Sequence, residues 1–91
     1  MSNFINQLVM TSGVYAEIDV NEQFLEDVKK AISAYASKDW GISKQDSVDM
    51  NNIAVDTLGY ILAVYETCKG SIFIITDQGH EVTTILFTDE Y

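Results

Sequence analysis

Between Val20 and Ser37 the apolar residues Phe24, Leu25, Val28, Ala31, Ile32 and Tyr35 recur at helical spacing and form one stripe. Asn21 has the short polar side chain of an N-cap. Glu22, Glu26 and Asp27 come before Lys29 and Lys30, the order that suits a helix dipole, and Glu26 with Lys30 adds a favourable i,i+4 pair. The stripe breaks at Lys38 to Ile42, a connector holding the only tryptophan in Asp39-Trp40-Gly41. Ser43-Lys44-Gln45-Asp46 then has the form of a capping box and opens a second helix reaching about Thr57. Its buried side is predicted to carry Val48, Met50 or Asn51, Ile53, Ala54 and Val55, ending at Leu58, with Gly59 as the terminator.

Beyond Gly59 the period shortens to two. Tyr60, Leu62 and Val64 alternate with Ile61, Ala63 and Tyr65, followed by strand-like runs at Ser71 to Thr76 and Glu81 to Thr88. The links Thr67-Cys68-Lys69-Gly70 and Asp77-Gln78-Gly79-His80 are short enough to force antiparallel pairing, so this third of the chain reads as a β-meander. Near the N-terminus, Phe4, Ile5, Leu8, Val9 and Met10 suit a short helix or a helical turn leading into a strand, until Thr11-Ser12-Gly13 interrupts them. Strand, helix and swapped arm all stay open for the first fifteen residues. The expected architecture is α+β: two amphipathic helices packed on a three-stranded antiparallel sheet, with room for a fourth strand. Tyr60 and Tyr65 have opposite strand parity, so one of them belongs on an open face. An open apolar face or edge strand on so small a domain favours self-association, such as a homodimer, or a protein partner.

At 91 residues and 10.2 kDa the chain makes a single domain, residues 1–91, with one modest core and no second lobe to wall a deep cleft. Charge changes the picture more than size does: 14 acidic residues face 5 lysines and no arginine, a net charge of −9. A chain so acidic, with no guanidinium for phosphate or base edges, is not expected to bind nucleic acid directly. Cys68 has no second cysteine to pair with, and one histidine, His80, cannot complete a zinc site with it. Glycine-rich phosphate loops and calcium-loop patterns are missing, so neither a cofactor nor a metal is expected. Cys68 and His80 fall in successive hairpin loops, at opposite ends of a meander, which argues against a nucleophile–base dyad and for a bystander thiol and a surface imidazole. No apolar run is long enough for a membrane span and no signal-peptide pattern is present, so a cytoplasmic, non-enzymatic protein is expected.

The acids are not evenly placed. On the first predicted helix they have lysines three or four residues away; on the second they do not. Gln45, Asp49, Asn52 and Asp56 run down one face at helical spacing, with Asp46 beside them and only Lys44 in offset. Glu17, Asp19, Asp89, Glu90 and the terminal carboxylate extend the candidate surface. Such a face can serve solubility alone, or it can meet a partner whose groove is lined with lysine and arginine, as a nucleic-acid-binding groove is. Trp40 fits either a plug where helix meets sheet or an anchor at an interface.

Asp39-Trp40-Gly41, Asp46, Asn51 or Asn52, Ile61-Leu62 with Tyr65, Ile72 with Ile74-Ile75-Thr76, Thr83-Thr84-Ile85-Leu86 and Glu90-Tyr91 stand in a characteristic order over residues 38 to 91. In that order the chain resembles a family of small plasmid-related proteins found on plasmids, phages and integrated elements. The N-terminal third agrees poorly, and Thr88-Asp89 stands where the family pattern has a proline before the final Glu-Tyr. Most of these positions are scaffold, so the resemblance speaks to fold and to a home on mobile DNA, and it assigns no activity to any residue. That context implies, by analogy, an inhibitor of a host defence complex of the CRISPR or restriction type, acting in the host cytoplasm, in some cases as a DNA mimic. Asp46, Asp49, Asn52, Asp56 and Trp40 are then the expected partner-binding residues. The alternative is a dimeric adaptor or antitoxin of the mobile element, its charge serving solubility only.

Overall fold

The computed structural model describes residues 4–42 and 44–91. In chain order the elements are β1 (Gln7–Met10), α1 (Ser12–Val20), α2 (Glu22–Ala36), α3 (Gln45–Thr57), β2 (Ile61–Thr67), β3 (Gly70–Thr76) and β4 (Val82–Phe87). A 3-10 turn at Thr88–Glu90 closes the chain. The architecture is α+β, with three helices and a four-stranded sheet in the order β1-β4-β3-β2.

The meander is as the short links require: β2 pairs antiparallel with β3, and β3 with β4. The sheet as a whole is mixed, however, because β1 lies parallel to β4, with Gln7 opposite Val82 and Met10 opposite Ile85. No hairpin ties β1 to β4. The long route through the helices and the meander leaves its direction free, which a parallel pair needs.

Two of the helices were legible and one was not. Asn21 caps α2 as expected, its side-chain oxygen accepting from the Phe24 N–H at 3.0 Å. Lysine pairing on this helix is i,i+3, Lys29 with Glu26 at 3.6 Å. The unforeseen helix is α1, which the Thr11 hydroxyl caps by accepting from Val14 N–H at 3.3 Å. It buries Val14 fully and Ile18 partly, one turn apart. Gly13 within its first turn makes room for the carboxylate of Glu90, which a Cβ there would meet at 2.7 Å.

Ile61, Ala63 and Tyr65 of β2, Ile72 and Ile74 of β3, and Ile85 of β4 line one face of the sheet. Against them pack Phe24, Val28, Ala31 and Tyr35 of α2, with Phe4, Val14 and Trp40. Each large side chain so buried contributes about 2 kcal/mol. Polar groups inside are bonded. The Tyr35 hydroxyl meets Thr76 Oγ1 at 2.6 Å, and Thr76 Oγ1 meets Thr83 Oγ1 at 2.8 Å. Ile75 and Leu86, on the opposite face, stay outside this core.

The α3 helix departs most from expectation. Ala54 is buried as expected, and of the alternatives Met50 or Asn51 it is Asn51 that lies inside; Met50 is 67% exposed, Ile53, expected inside, is 59% exposed, and Leu58 is exposed too. The cause is Asn51. Its amide nitrogen donates to the Leu62 carbonyl at 2.8 Å and its oxygen accepts from the Leu62 N–H at 3.3 Å. It thus occupies the open edge of β2 as a neighbouring strand would, and that pairing fixes the rotation of α3. The capping box rested on Ser43, which lies outside the described residues; Lys44 is the N-cap and its side chain makes no cap bond. Nor is Gly59 the left-handed terminator: Leu58 holds that conformation, at φ 59°, while Gly59 N–H bonds the Ala54 carbonyl at 3.0 Å.

Candidate functional site

The connector Asp39-Trp40-Gly41 joins α2 to the edge of the sheet. Asp39 Oδ1 accepts from the Gly41 N–H at 3.2 Å, and the Asp39 carbonyl accepts from the Tyr65 hydroxyl at 2.6 Å. Gly41 bridges to Val64 in parallel sense, and Ile42 N–H bonds the Val64 carbonyl at 3.1 Å. A side chain at Gly41 is excluded twice over, by a φ of 70° and by a Val64 oxygen 2.2 Å from where its Cβ would lie. Between these two residues Trp40 turns inward to 2% exposure, among Phe4 and Tyr35 at ring separations of 5.9 and 5.3 Å. It is a plug, and presents no surface to a partner.

Trp40 reaches α3 through its indole N–H, which donates to Asn52 Oδ1 at 2.9 Å. Asn52 is exposed but its oxygen is thereby committed to the fold, so of the residues expected to meet a partner it is a positioning group. Gln45, Asp46, Asp49 and Asp56 are all exposed on α3. Gln45 donates to Asp49 Oδ1 at 3.0 Å. Among the described residues the ion pairs join Lys29 to Glu26 and Lys69 to Glu17, so none neutralises an α3 carboxylate. Asp56 stands in the last turn, where the carbonyl end of the helix is already negative and no basic residue offsets it.

Glu17, Asp89 and Glu90 are engaged elsewhere. Glu17 and Asp89 line a separate hollow with Lys69, and Glu90 is structural, accepting from the Thr11 hydroxyl and from Phe87 N–H, each at 2.8 Å. What α3 does border is an apolar groove of about 570 Å³ running between it and the start of β2. Asp46, Met50, Ile53 and Thr57 form one wall; Gly59, Tyr60 and Leu62 form the other. On the helical wheel Ile53 lies between Asp49 and the groove, so the acidic strip and the groove share a ridge. Sequence reasoning missed this groove because it took Ile53 for core and left Met50 or Asn51 as alternatives. The available signal was Asn51, already an alternative to Met50 for the buried side, since burying its amide turns Met50 outward.

Cys68 and His80 stay apart, at the two ends of β3, about 20 Å of strand from each other. The imidazole is not on the surface: His80 is 2% exposed and its Nε2–H donates to the Gly59 carbonyl at 2.8 Å. Cys68 is exposed, and desolvation followed by the neighbouring Asp27 carboxylate pushes its thiol up, away from the nucleophilic thiolate. Among the described residues no three or more His, Cys, Asp or Glu side chains gather to hold a metal ion, and no helix is long and apolar enough to cross a membrane. No protein-family model, curated protein or solved structure matches the chain.

Proposed function

We propose that this is a non-enzymatic binding protein of a mobile element, phage or plasmid, that occludes a host nucleic-acid-handling complex through the acidic face of α3. One observation carries the reading: Asp46, Asp49 and Asp56 stand exposed on one helix and, among the described residues, no cation is paired to them. Asp56 is placed against the helix dipole, an arrangement that costs about 0.5 kcal/mol and that solubility alone does not require. Grooves built for phosphates respond mainly to field, and a helix carrying such carboxylates offers them a competing one. The mobile-element assignment rests on the order of motifs from Asp39 to Tyr91, and the type of complex, a CRISPR effector or a restriction enzyme, on that context. Occlusion needs no active site and no cofactor.

The test combines capture from a nuclease-treated host lysate with the triple variant Asp46→Lys, Asp49→Lys, Asp56→Lys. A nucleic-acid-handling complex should be recovered at low salt, lost at high salt, and lost with the variant at unchanged melting temperature. Recovery of the same complex that survives the triple reversal would sink the proposal.

A second reading, a dimeric adaptor or antitoxin, is favoured by the sheet face opposite the core, where Leu62, Val64 and Phe73 are only half-buried. It requires association that persists at high salt, because apolar contact is not screened.

A further inference from the structure

The exposure of Met50 and Ile53 inverts the usual sense of an amphipathic helix: an amide faces inward and two large apolar side chains face out, one turn apart. Both border the groove, with Tyr60 and Leu62 opposite and the Asp46 carboxylate at its rim. Resting on the reading of α3 as a binding face, we propose that this groove seats the apolar side chains of a cationic amphipathic segment, a partner helix whose lysines or arginines flank its apolar stripe.

Charge decides the occupant. Across the Ile53 ridge lie Asp49 and Asp56, and α3 itself carries no cation, Lys44 standing at its N-cap. A second copy docked here face to face would set these acids against their own kind, which is costly. A basic helix meets attraction on the ridge and apolar area below it. Methionine suits such a role, since its unbranched thioether adapts to what it touches. The groove is deep enough for a few side chains and too small for a folded domain, the form of helix-in-groove recognition.

The experiment titrates the full chain with three labelled peptides of equal charge, each about five helical turns long. The first is a leucine–lysine helix with its leucines on one face, the second its scrambled isomer, the third the same lysines with serine in place of every leucine. The wild type should prefer the amphipathic helix over the other two by about tenfold, from the apolar area that Met50 and Ile53 contribute. The double variant Met50→Ser, Ile53→Ser, altering only exposed side chains, should erase that preference while retaining the charge-driven binding and the melting temperature. Equal affinity for all three peptides in the wild type would overturn the groove and leave the acidic face standing. A preference kept by the double variant would also overturn it. If no peptide binds, both readings fail. A dimer of the protein alone that Ile53→Ser dissolves would give the groove to a second copy and end the proposal.

Discussion

At the scale of single residues, Asn51 does what a strand would otherwise do. The edge of β2 at Leu62 offers one N–H and one C=O, and the Asn51 amide answers both. Val64 next along the edge is met by Gly41 and Ile42. An edge filled in this way cannot template the pairing of another chain. Asn51→Ala should cost about 2 kcal/mol in urea unfolding, because two part-buried bonds are lost and their backbone partners are left with whatever water can reach them. A loss below about 0.5 kcal/mol would mean that the amide is not what holds α3 to the sheet. Asp is a poor replacement, since a carboxylate can accept from Leu62 N–H but has nothing to donate to the carbonyl.

At the scale of elements, α2 and the meander were readable because one consideration decides each of them. A wide apolar stripe has only one way to face a sheet, and four-residue links allow only one strand direction. The α1 helix escaped because Val14 and Ile18 give it a stripe of two residues, with a glycine in its first turn answering a glutamate seventy-seven positions away. The rotation of α3 escaped for a similar reason: it is set by a bond to β2, which periodicity cannot register. Half of the candidate site was therefore visible, the run of Asp46, Asp49 and Asp56, and half was not, the groove beside it and the commitment of Asn52 and Trp40 to each other. Leu58 tests the local account of how α3 ends. It is an exposed leucine at φ 59°, a conformation in which a Cβ is crowded. Leu58→Gly should raise the unfolding free energy by about 1 kcal/mol, and a destabilised variant would show that the leucine makes contacts worth more than its strain.

At the scale of the whole molecule, the buried tyrosine hydroxyls tie stability to alkaline pH. Burial holds the Tyr35 and Tyr65 hydroxyls above the usual tyrosine range, and Tyr60 is pushed up to about 12 by its burial and then by the Tyr91 hydroxyl 3.2 Å away. These groups keep their protons in the folded state at pH values where the unfolded chain has released them. Their contribution is thus complete below about pH 10, the unfolded tyrosine value, and is lost as pH climbs through about 12. Urea midpoints should hold steady up to about pH 9 and fall by about pH 11, with Tyr60→Phe flattening part of the decline. A midpoint unchanged across that window would contradict the assigned burial.

The position of β1 beside β4 has a consequence for how the protein is made. Synthesis delivers Gln7 to Met10 some seventy residues before their partner, Val82 to Phe87, and the Thr11–Glu90 bond spans seventy-nine positions. The ribosome can release α2, α3 and the first hairpin in an order that lets each fold on emergence. The N-terminal strand has no such option. It must wait, unpaired, until the residues of β4 have left the exit tunnel, so the sheet is completed only after translation of residue 87 and the nascent chain is open to chaperones and proteases at β1 until then.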